Sequence, residues 1–197
     1  MRVVVIGATG DIGRAVADLL EGRHEVLRAS RHAPDEALRV DISDPASIKA
    51  FYARVGTVDA VIACAGDARF GALAKLGDED FAFAIANKLM GQVNLVRFGI
   101  DHMSDGGVFI LTAGIYGTKP TPQVTTFALA NGALESFARA ATLDVPRGMR
   151  VHALSPPWLE ESARKQGMHG AITAAANAHW YLRVLEGELR DTVVYPA

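Results

Sequence analysis

Val3-Val4-Val5-Ile6-Gly7-Ala8-Thr9-Gly10-Asp11-Ile12-Gly13 is the stretch of sequence that decides the fold. Its apolar run of four residues is too short to span a bilayer or to form a signal-peptide core, and it predicts a first buried strand. The three glycines stand where a strand must turn sharply into a helix and where a pyrophosphate can approach the backbone. The stretch therefore predicts a strand, a glycine-rich turn and a helix whose N-terminus binds a dinucleotide.

Working outward, short β-branched runs alternate with longer helical patterns, which is typical of a parallel sheet covered by helices. Strands are predicted near residues 2–6, 25–29, 37–40, 58–63, 107–112, 149–154 and 191–195. Helices are predicted near residues 11–21, 45–54, 78–103, 124–144 and 170–187. We therefore expect an α/β protein with a single Rossmann-type, doubly wound parallel sheet of about seven strands and helices on both faces.

The length and the net charge of the chain limit the range of possible functions further. A chain of 197 residues can bury one core but is too short for two ordinary domains, so we expect one domain over residues 1–197. Twenty basic against 22 acidic residues give a net charge of −2, which argues against nucleic acid or an anionic membrane and favours a small-molecule partner. The single cysteine, Cys64, gives no sign of an oxidising compartment, so a cytoplasmic location is expected.

The end of the second predicted strand distinguishes the two nicotinamide dinucleotides. A carboxylate there accepts a hydrogen bond from the ribose 2′-OH, whereas a cation accommodates a 2′-phosphate. This chain has Ser30 and Arg31 at that point, with Arg28 close by and no acid. NADP(H) is therefore favoured over NAD(H). The alternative is that these arginines are ordinary solvated residues at a strand end.

Four further segments resemble the short-chain dehydrogenase/reductase family, and the resemblance covers nearly the whole chain. Val40-Asp41-Ile42 is similar to the segment that contacts the adenine, and Ala63-Cys64-Ala65-Gly66 to the family's Asn-Asn-Ala-Gly turn. Asn87 falls where the family has a helix-kinking asparagine, and Arg147–Pro156 resembles the sixth strand leading to the nicotinamide.

The glycine-rich turn and this resemblance together imply a set of cofactor-binding residues. They are Gly7, Thr9, Gly10, Asp11, Ile12, Gly13, Ser30, Arg31, Asp41, Ile42, Ala65, Gly66, Lys88 and Pro156.

The family's catalytic residues are mostly replaced. The resemblance places Ala113, in the turn Thr112-Ala113-Gly114, at the family's serine, Phe127 at its tyrosine and Asn131 at its lysine. A phenyl ring cannot donate a proton and an amide carries no charge. Of the four residues that the family uses, this leaves only Asn87.

Substitute groups can still orient or protonate a substrate oxygen. The candidates are Asn87, Lys88, Tyr116 and Thr112. Lys88 is either a cofactor or substrate ligand or a solvated helix lysine, Tyr116 is otherwise a packed or surface aromatic, and Thr112 is otherwise a strand-end hydrogen-bonding group. Two functions stay open: an NADP(H)-dependent oxidoreductase acting on a small carbonyl or alcohol with an atypical catalytic site, and a non-catalytic NADP(H)-binding or sensing protein.

Two further expectations concern metals and assembly. No histidine pair shows metal-ligand spacing, so no metal site is predicted. The helical segments 81–98 and 124–143 are rich in small residues, and the family resemblance implies that they form a homodimer or homotetramer, although burial against the sheet would give the same pattern.

Overall fold

The fold is built on one parallel sheet in a computed structural model that describes residues 1–165, 167 and 169–197. Its strands are β1 (Arg2–Ile6), β2 (Glu25–Ala29), β3 (Val58–Ala63), β4 (Met103–Thr112), β5 (Arg150–Leu154) and β6 (Val193–Val194). They lie in the order β2-β1-β3-β4-β5-β6, each parallel to its neighbours. The strand order reverses between β1 and β3, and such a switch point opens a crevice at the carboxyl ends of the strands.

Helices cover both faces of this sheet. They are α1 (Asp11–Leu20), α2 (Pro45–Val55), α3 (Asp78–Ala84), α4 (Met90–Gly99), α5 (Thr125–Asp144), α6 (Glu160–Arg164) and α7 (Ala174–Leu185). Apolar residues of α2, α4 and α5 form one core with one face of the sheet, and those of α1 and α7 form a second core with the other. Because both faces are covered, the central strands contain near-continuous apolar runs, such as residues 3–6 of β1. The α/β class and the doubly wound sheet are confirmed.

The predicted strand at residues 37–40 is wrong, and the described sheet has six strands rather than seven. Glu36–Leu38 forms a 3₁₀ turn that Asp35 caps, and pairing with β2 is reduced to a single bridge between Ser30 and Arg39. Two parallel neighbours need a crossover of a dozen or more residues. The interval between the end of β2 and residue 37 is shorter than that.

The helix predicted near residues 78–103 is present as a helical segment from 78 to 102, but its geometry changes along its length. Helix α3 passes into a π-helical turn at Ile85–Leu89, α4 follows, and a 3₁₀ turn at Ile100–His102 leads directly into β4. A π turn adds one residue to a helical turn and shifts the side chains that follow, and such turns are frequent at functional sites. The two candidates Asn87 and Lys88 both lie in it.

The last predicted helix and strand are shorter in the structure. Helix α7 begins at Ala174, where the Thr173 hydroxyl accepts a hydrogen bond from the Ala176 amide. Strand β6 is confined to two residues, which pair with Ala153 and Leu154 at the end of β5. The first helix begins as predicted, directly after the glycine-rich turn.

Candidate active site

A continuous cleft runs along the carboxyl ends of the central strands and consists of two adjoining cavities. The first, of about 300 Å³, lies over β1 and β2, and the second, of about 290 Å³, lies over β3, β4 and β5. Both are lined by the four residues that follow β3, Cys64, Ala65, Gly66 and Asp67. A ligand that extends past this shared wall would occupy both cavities at once.

The glycine-rich turn forms the floor of the first cavity. Gly7 has φ +83°, and a Cβ there would lie 2.9 Å from the Ala65 backbone nitrogen. A Cβ on Gly13 would clash with the Gly7 carbonyl oxygen, so this glycine lets α1 pack against the end of β1. The N-cap of α1, Gly10, has no side chain to pair with the first amides of the helix. These amides and the helix dipole suit an anion at the cleft.

The far end of the first cavity carries the groups predicted to select a 2′-phosphate. The Ser30 hydroxyl is buried and has no hydrogen-bond partner among the described residues, and the exposed Arg31 lines the same cavity. Arg28 instead forms ion pairs with Asp18 and Glu21. A buried hydroxyl without a partner is costly unless a ligand satisfies it.

Asp41 and Ile42 line the first cavity where the adenine was expected. Hydrogen bonds from Ser43 hold the pKa of the Asp41 carboxyl below its usual value, and the charge of Arg31 contributes to the same shift. Asp41 is therefore ionised at neutral pH and can accept hydrogen bonds only.

Asn87 fixes the wall that the two cavities share. Its side-chain oxygen accepts a hydrogen bond of 2.8 Å from the backbone amide of Asp67. Because Asn87 lies in the π-helical turn, that turn is joined to the loop after β3. Asn87 lines the first cavity, whereas the next residue, Lys88, lines the second.

Lys88 is 7% exposed, so it is not a solvated helix lysine. Burial lowers the pKa of its ammonium group to about 8, although the nearby Asp67 carboxylate acts in the opposite direction. A Cβ on Gly66 would come within 3.0 Å of the Lys88 side chain, so Gly66 makes room for it. Near neutral pH this amine can both carry a charge and release a proton.

Thr112 and Tyr116 both line the second cavity, but they differ in how deeply they are buried. The Thr112 hydroxyl lies 2.8 Å from the hydroxyl of Tyr181 on α7, and both groups are buried. Burial also raises the pKa of the neighbouring Cys64 thiol to about 12, which makes it a poor nucleophile. Tyr116 is half-buried, and burial raises the pKa of its phenol.

Phe127 and Asn131 both line the second cavity from α5, one turn apart. Asn131 is 2% exposed, and its side-chain oxygen has no hydrogen-bond partner among the described residues. A Cβ on Gly114 would lie 2.8 Å from the Asn131 amide nitrogen, so the turn after β4 packs tightly against this side chain. Asn131 thus carries a buried polar atom without a described partner beside the second cavity.

Aromatic rings form much of the wall of the second cavity. Phe70 lies 4.4 Å from Phe127 and 5.8 Å from Trp158 between ring centroids, and Tyr116 meets Trp158 edge-on at 6.2 Å. We call these four side chains the aromatic wall. They come from the loop after β3, the loop after β4, helix α5 and the loop after β5.

The segment that carries α6 is fastened to the start of α1. The Lys165 ammonium donates to both oxygens of Asp11, at 2.8 and 2.7 Å, and the Ser162 hydroxyl donates to the same carboxylate at 3.1 Å. The hydrogen bond from Lys165 is the largest factor that lowers the pKa of Asp11. We call this contact the Asp11 clasp. It holds the segment after β5 over the mouth of the second cavity, which Ser162 lines.

The structure brings together most of the predicted cofactor residues. Those lining the first cavity are Gly7, Thr9, Gly10, Ser30, Arg31, Asp41, Ile42, Ala65 and Gly66. Ile12, Lys88 and Pro156 line the second. Asp11 and Gly13 line neither, since Asp11 is held in the clasp and Gly13 is buried beneath the turn.

Sequence reasoning missed several residues of the cleft, among them Asp67 and Phe70. Both follow β3 in a segment with no periodic pattern, and the one available signal was an aromatic residue in a short loop at the carboxyl edge of the sheet. Among the described residues, no group of three His, Cys, Asp or Glu side chains could hold a metal ion. No described helix is long and apolar enough to cross a membrane.

The chain is similar in sequence to a family of known proteins. A family model described as enoyl-(acyl carrier protein) reductase matches residues 12–191. Elsinochrome reductase 1 of Elsinoe fawcettii is 30% identical over 176 residues, and the 3-oxoacyl-[acyl-carrier-protein] reductase FabG of Chlamydia trachomatis is 24% identical over 167. These matches cover 78% and 83% of this chain, and the chain spans 66% of the length of each relative.

Solved structures agree with these matches. The protein lin1944 from Listeria innocua is 39% identical, with a TM-score of 0.93 and full coverage of both chains. A small-chain dehydrogenase solved in complex with NADPH is 25% identical, with a TM-score of 0.85 over 98% of this chain and 94% of that one. By its sequence match and its fold, this chain belongs to the short-chain dehydrogenase/reductase family.

Proposed function

We propose that the chain is an NADP(H)-dependent oxidoreductase that transfers hydride between the cofactor and a small carbonyl or alcohol. The observation that carries the proposal is the continuous cleft, which has the buried, unpartnered Ser30 hydroxyl at one end and Lys88 beyond the shared wall. The NADPH complex of a related small-chain dehydrogenase supports the choice of cofactor.

The residues present fit such a dinucleotide from end to end. The amides at the start of α1 would hold the diphosphate, and Ser30 with Arg31 would hold the 2′-phosphate. The unpartnered oxygen of Asn131 would accept a hydrogen bond from a ribose hydroxyl. Asp41 would accept one at the adenine end.

When bound, NADPH supplies the hydride, so the protein must position the substrate and manage the charge on its oxygen. Lys88 can do both, because its ammonium group lies at the second cavity and its lowered pKa lets it release a proton. Asn87 positions the wall beside it by holding the Asp67 amide. Thr112 is bound to Tyr181, and Tyr116 lies in the aromatic wall.

A second candidate function is NADP(H) binding or sensing without catalysis. Phe127 favours it, because a phenyl ring on α5 faces the second cavity where the family resemblance implies a catalytic tyrosine. Turnover that depends on Lys88 would exclude this alternative.

The proposal is tested by titrating NADPH and NADH against the wild type, Arg31→Ala and Arg28→Ala. A charge-assisted hydrogen bond contributes about 1.5–3 kcal/mol, so Arg31→Ala should weaken NADPH binding by roughly 10- to 100-fold and leave NADH binding unchanged. Arg28→Ala is the matched control, because Arg28 pairs with Asp18 and Glu21. Equal affinity of the wild type for both dinucleotides would contradict the assignment to NADP(H).

We also propose that the chain forms a homodimer or homotetramer. In support, Ile85 and Leu129 are large apolar side chains left 40% and 43% exposed on the π-helical turn and on α5. A groove beside Ile85 is lined by Ala82, Met90 and Phe98. An exposed apolar surface of this kind favours contact with another protein surface.

A further inference from the structure

The aromatic wall gives the second cavity a shape that the hydride-transfer chemistry alone does not require. Phe70 and Trp158 are stacked, with their ring planes 24° apart. Phe70 nevertheless stays 44% exposed, although the exposure of a large apolar ring is unfavourable. Stacked and partly open rings at a cavity are suited to receive a further flat ring.

The charged groups that line this cavity are Lys88 and Asp67. Lys88 is the one lysine or arginine that lines it within the described part of the chain. Phe127 offers no hydrogen-bonding group, and the Thr112 hydroxyl is bound to Tyr181. A ligand therefore meets flat aromatic surfaces on several sides and one cationic group, Lys88. The other polar side chains that line the cavity are those of Asp67, Tyr116, Asn131 and Ser162.

We propose that the substrate of this site is a quinone, which stacks on Phe70 and Trp158 and directs one oxygen to the Lys88 ammonium group. The proposal rests on the proposed function, since it needs NADPH in the first cavity as the hydride donor. The aromatic wall is the feature that selects this class of substrate.

The chemistry of a quinone explains how the site can lack a tyrosine and lysine pair. One quinone oxygen accepts the hydride supplied by NADPH and forms an O–H bond. The displaced π electrons move through the ring to the other oxygen, which becomes a phenolate. Lys88 gives that oxygen a proton and regains one from water, so quinone, NADPH and one proton yield hydroquinone and NADP⁺. A phenolate is stabilised by its ring, with a pKa of about 10 for the phenol, and is far less basic than an alkoxide.

The first experiment compares turnover of menadione with that of the aliphatic dicarbonyl diacetyl, by following NADPH oxidation. We expect kcat/KM to be about tenfold or more higher for menadione, because aromatic pairs contribute about 0.5–1.5 kcal/mol each. Phe70→Leu should raise KM for menadione several-fold and lower the ratio of kcat/KM for menadione to that for diacetyl. Phe137→Leu, on α5, is the matched control, because Phe137 packs against the core and lines neither cavity.

The second experiment measures binding without turnover. The chain has two tryptophans, so Trp180→Phe leaves Trp158 as the reporter. Menadione added to the NADP⁺ complex should quench the fluorescence of wild type and Trp180→Phe, and that response should be lost in Trp158→Phe. Lys88→Met should keep the quenching and lose the turnover.

The outcomes separate the two proposals. NADPH binding with turnover of diacetyl, but without quenching or preference for menadione, overturns the quinone assignment alone. Quenching of Trp158 without oxidation of NADPH overturns the hydride step. Absence of NADPH binding overturns the proposed function, and the quinone assignment with it.

Discussion

The burial of Lys88 determines its chemistry. The other four lysines are exposed, whereas Lys88 is enclosed by Gly66 and the loop after β3. The sequence predicted the position of Lys88 but could not distinguish a ligand from a solvated lysine, because both have the same neighbours in the chain. Such burial depends on segments distant in sequence, which a local pattern does not contain.

Lys88→Met should stabilise the protein while it abolishes activity. Below a pH of about 8 the folded state must hold a buried charge, and this cost disappears as pH rises towards the unfolded pKa of 10.5. The shift from 10.5 to about 8 corresponds to roughly 3 kcal/mol at pH 7. Urea unfolding at pH 7 measures the gain, and the exposed Lys75→Met should show none. A variant no more stable than the wild type would contradict this account of Lys88.

The pH dependence of reduction should also report Lys88. The lysine must be protonated to donate, so kcat/KM for reduction should be constant well below pH 8 and fall as pH rises through an apparent pKa of about 8. Asp67 is the carboxylate that counteracts the effect of burial, so Asp67→Asn should move this apparent pKa lower. Stopped-flow or steady-state rates across pH 6 to 10 provide the test. A rate that rises over this range would exclude Lys88 as the proton donor.

At the scale of elements, the first strand, turn and helix were predictable because each signal is local. The strand is an apolar run, and the glycines that follow are required by backbone contacts within a few residues, such as that of Gly13 with Gly7. The hydrophobic pattern did not predict the π-helical turn, since Ile85–Leu89 continues the apolar pattern of the helices on either side, whereas the family resemblance implied a helix kink at Asn87. The extra residue becomes evident only in the backbone hydrogen bonds.

Replacing two helical glycines by alanine should change the stability of the protein in opposite directions. Gly13→Ala places a methyl group against the backbone of Gly7, which cannot move without disturbing the turn, and should cost about 3 kcal/mol of stability. Gly132→Ala, in the interior of α5, meets only the Gly117 oxygen at 3.9 Å and should gain up to about 1 kcal/mol. Thermal or urea unfolding compares the pair. Equal effects of the two changes on stability would show that the turn does not need the close contact between the backbones of Gly13 and Gly7.

At the scale of the whole molecule, the cleft assembles residues from nearly the full length of the chain. The sequence could predict which segments reach the carboxyl edge of the sheet, since a parallel sheet brings all its strand ends together. It could not predict that Phe70 would face Phe127 and Trp158, because that depends on how two loops pack across the cavity. Resemblance to the family supplied the alignment of α5 but not the character of the pocket.

Self-association is the prediction that belongs to this scale. Ile85→Glu places a charge on the exposed apolar surface beside the π-helical turn, so it should shift a dimer or tetramer to the monomer. Leu143→Glu is the control, because Leu143 is 84% exposed at the end of α5. Sedimentation velocity measures the mass of each variant. A wild type that sediments as a monomer at all concentrations would refute the proposed assembly.

The Asp11 clasp connects residues 154 positions apart with groups that partly face solvent. An ion pair of this exposure contributes no more than about 1 kcal/mol. This corresponds to a ratio of about fivefold in favour of the formed over the broken Lys165–Asp11 contact. Added salt weakens it further. The contact at the far end of this segment is therefore weak and sensitive to ionic strength, whereas the buried Leu159 and Ala163 keep the rest of the segment packed in place.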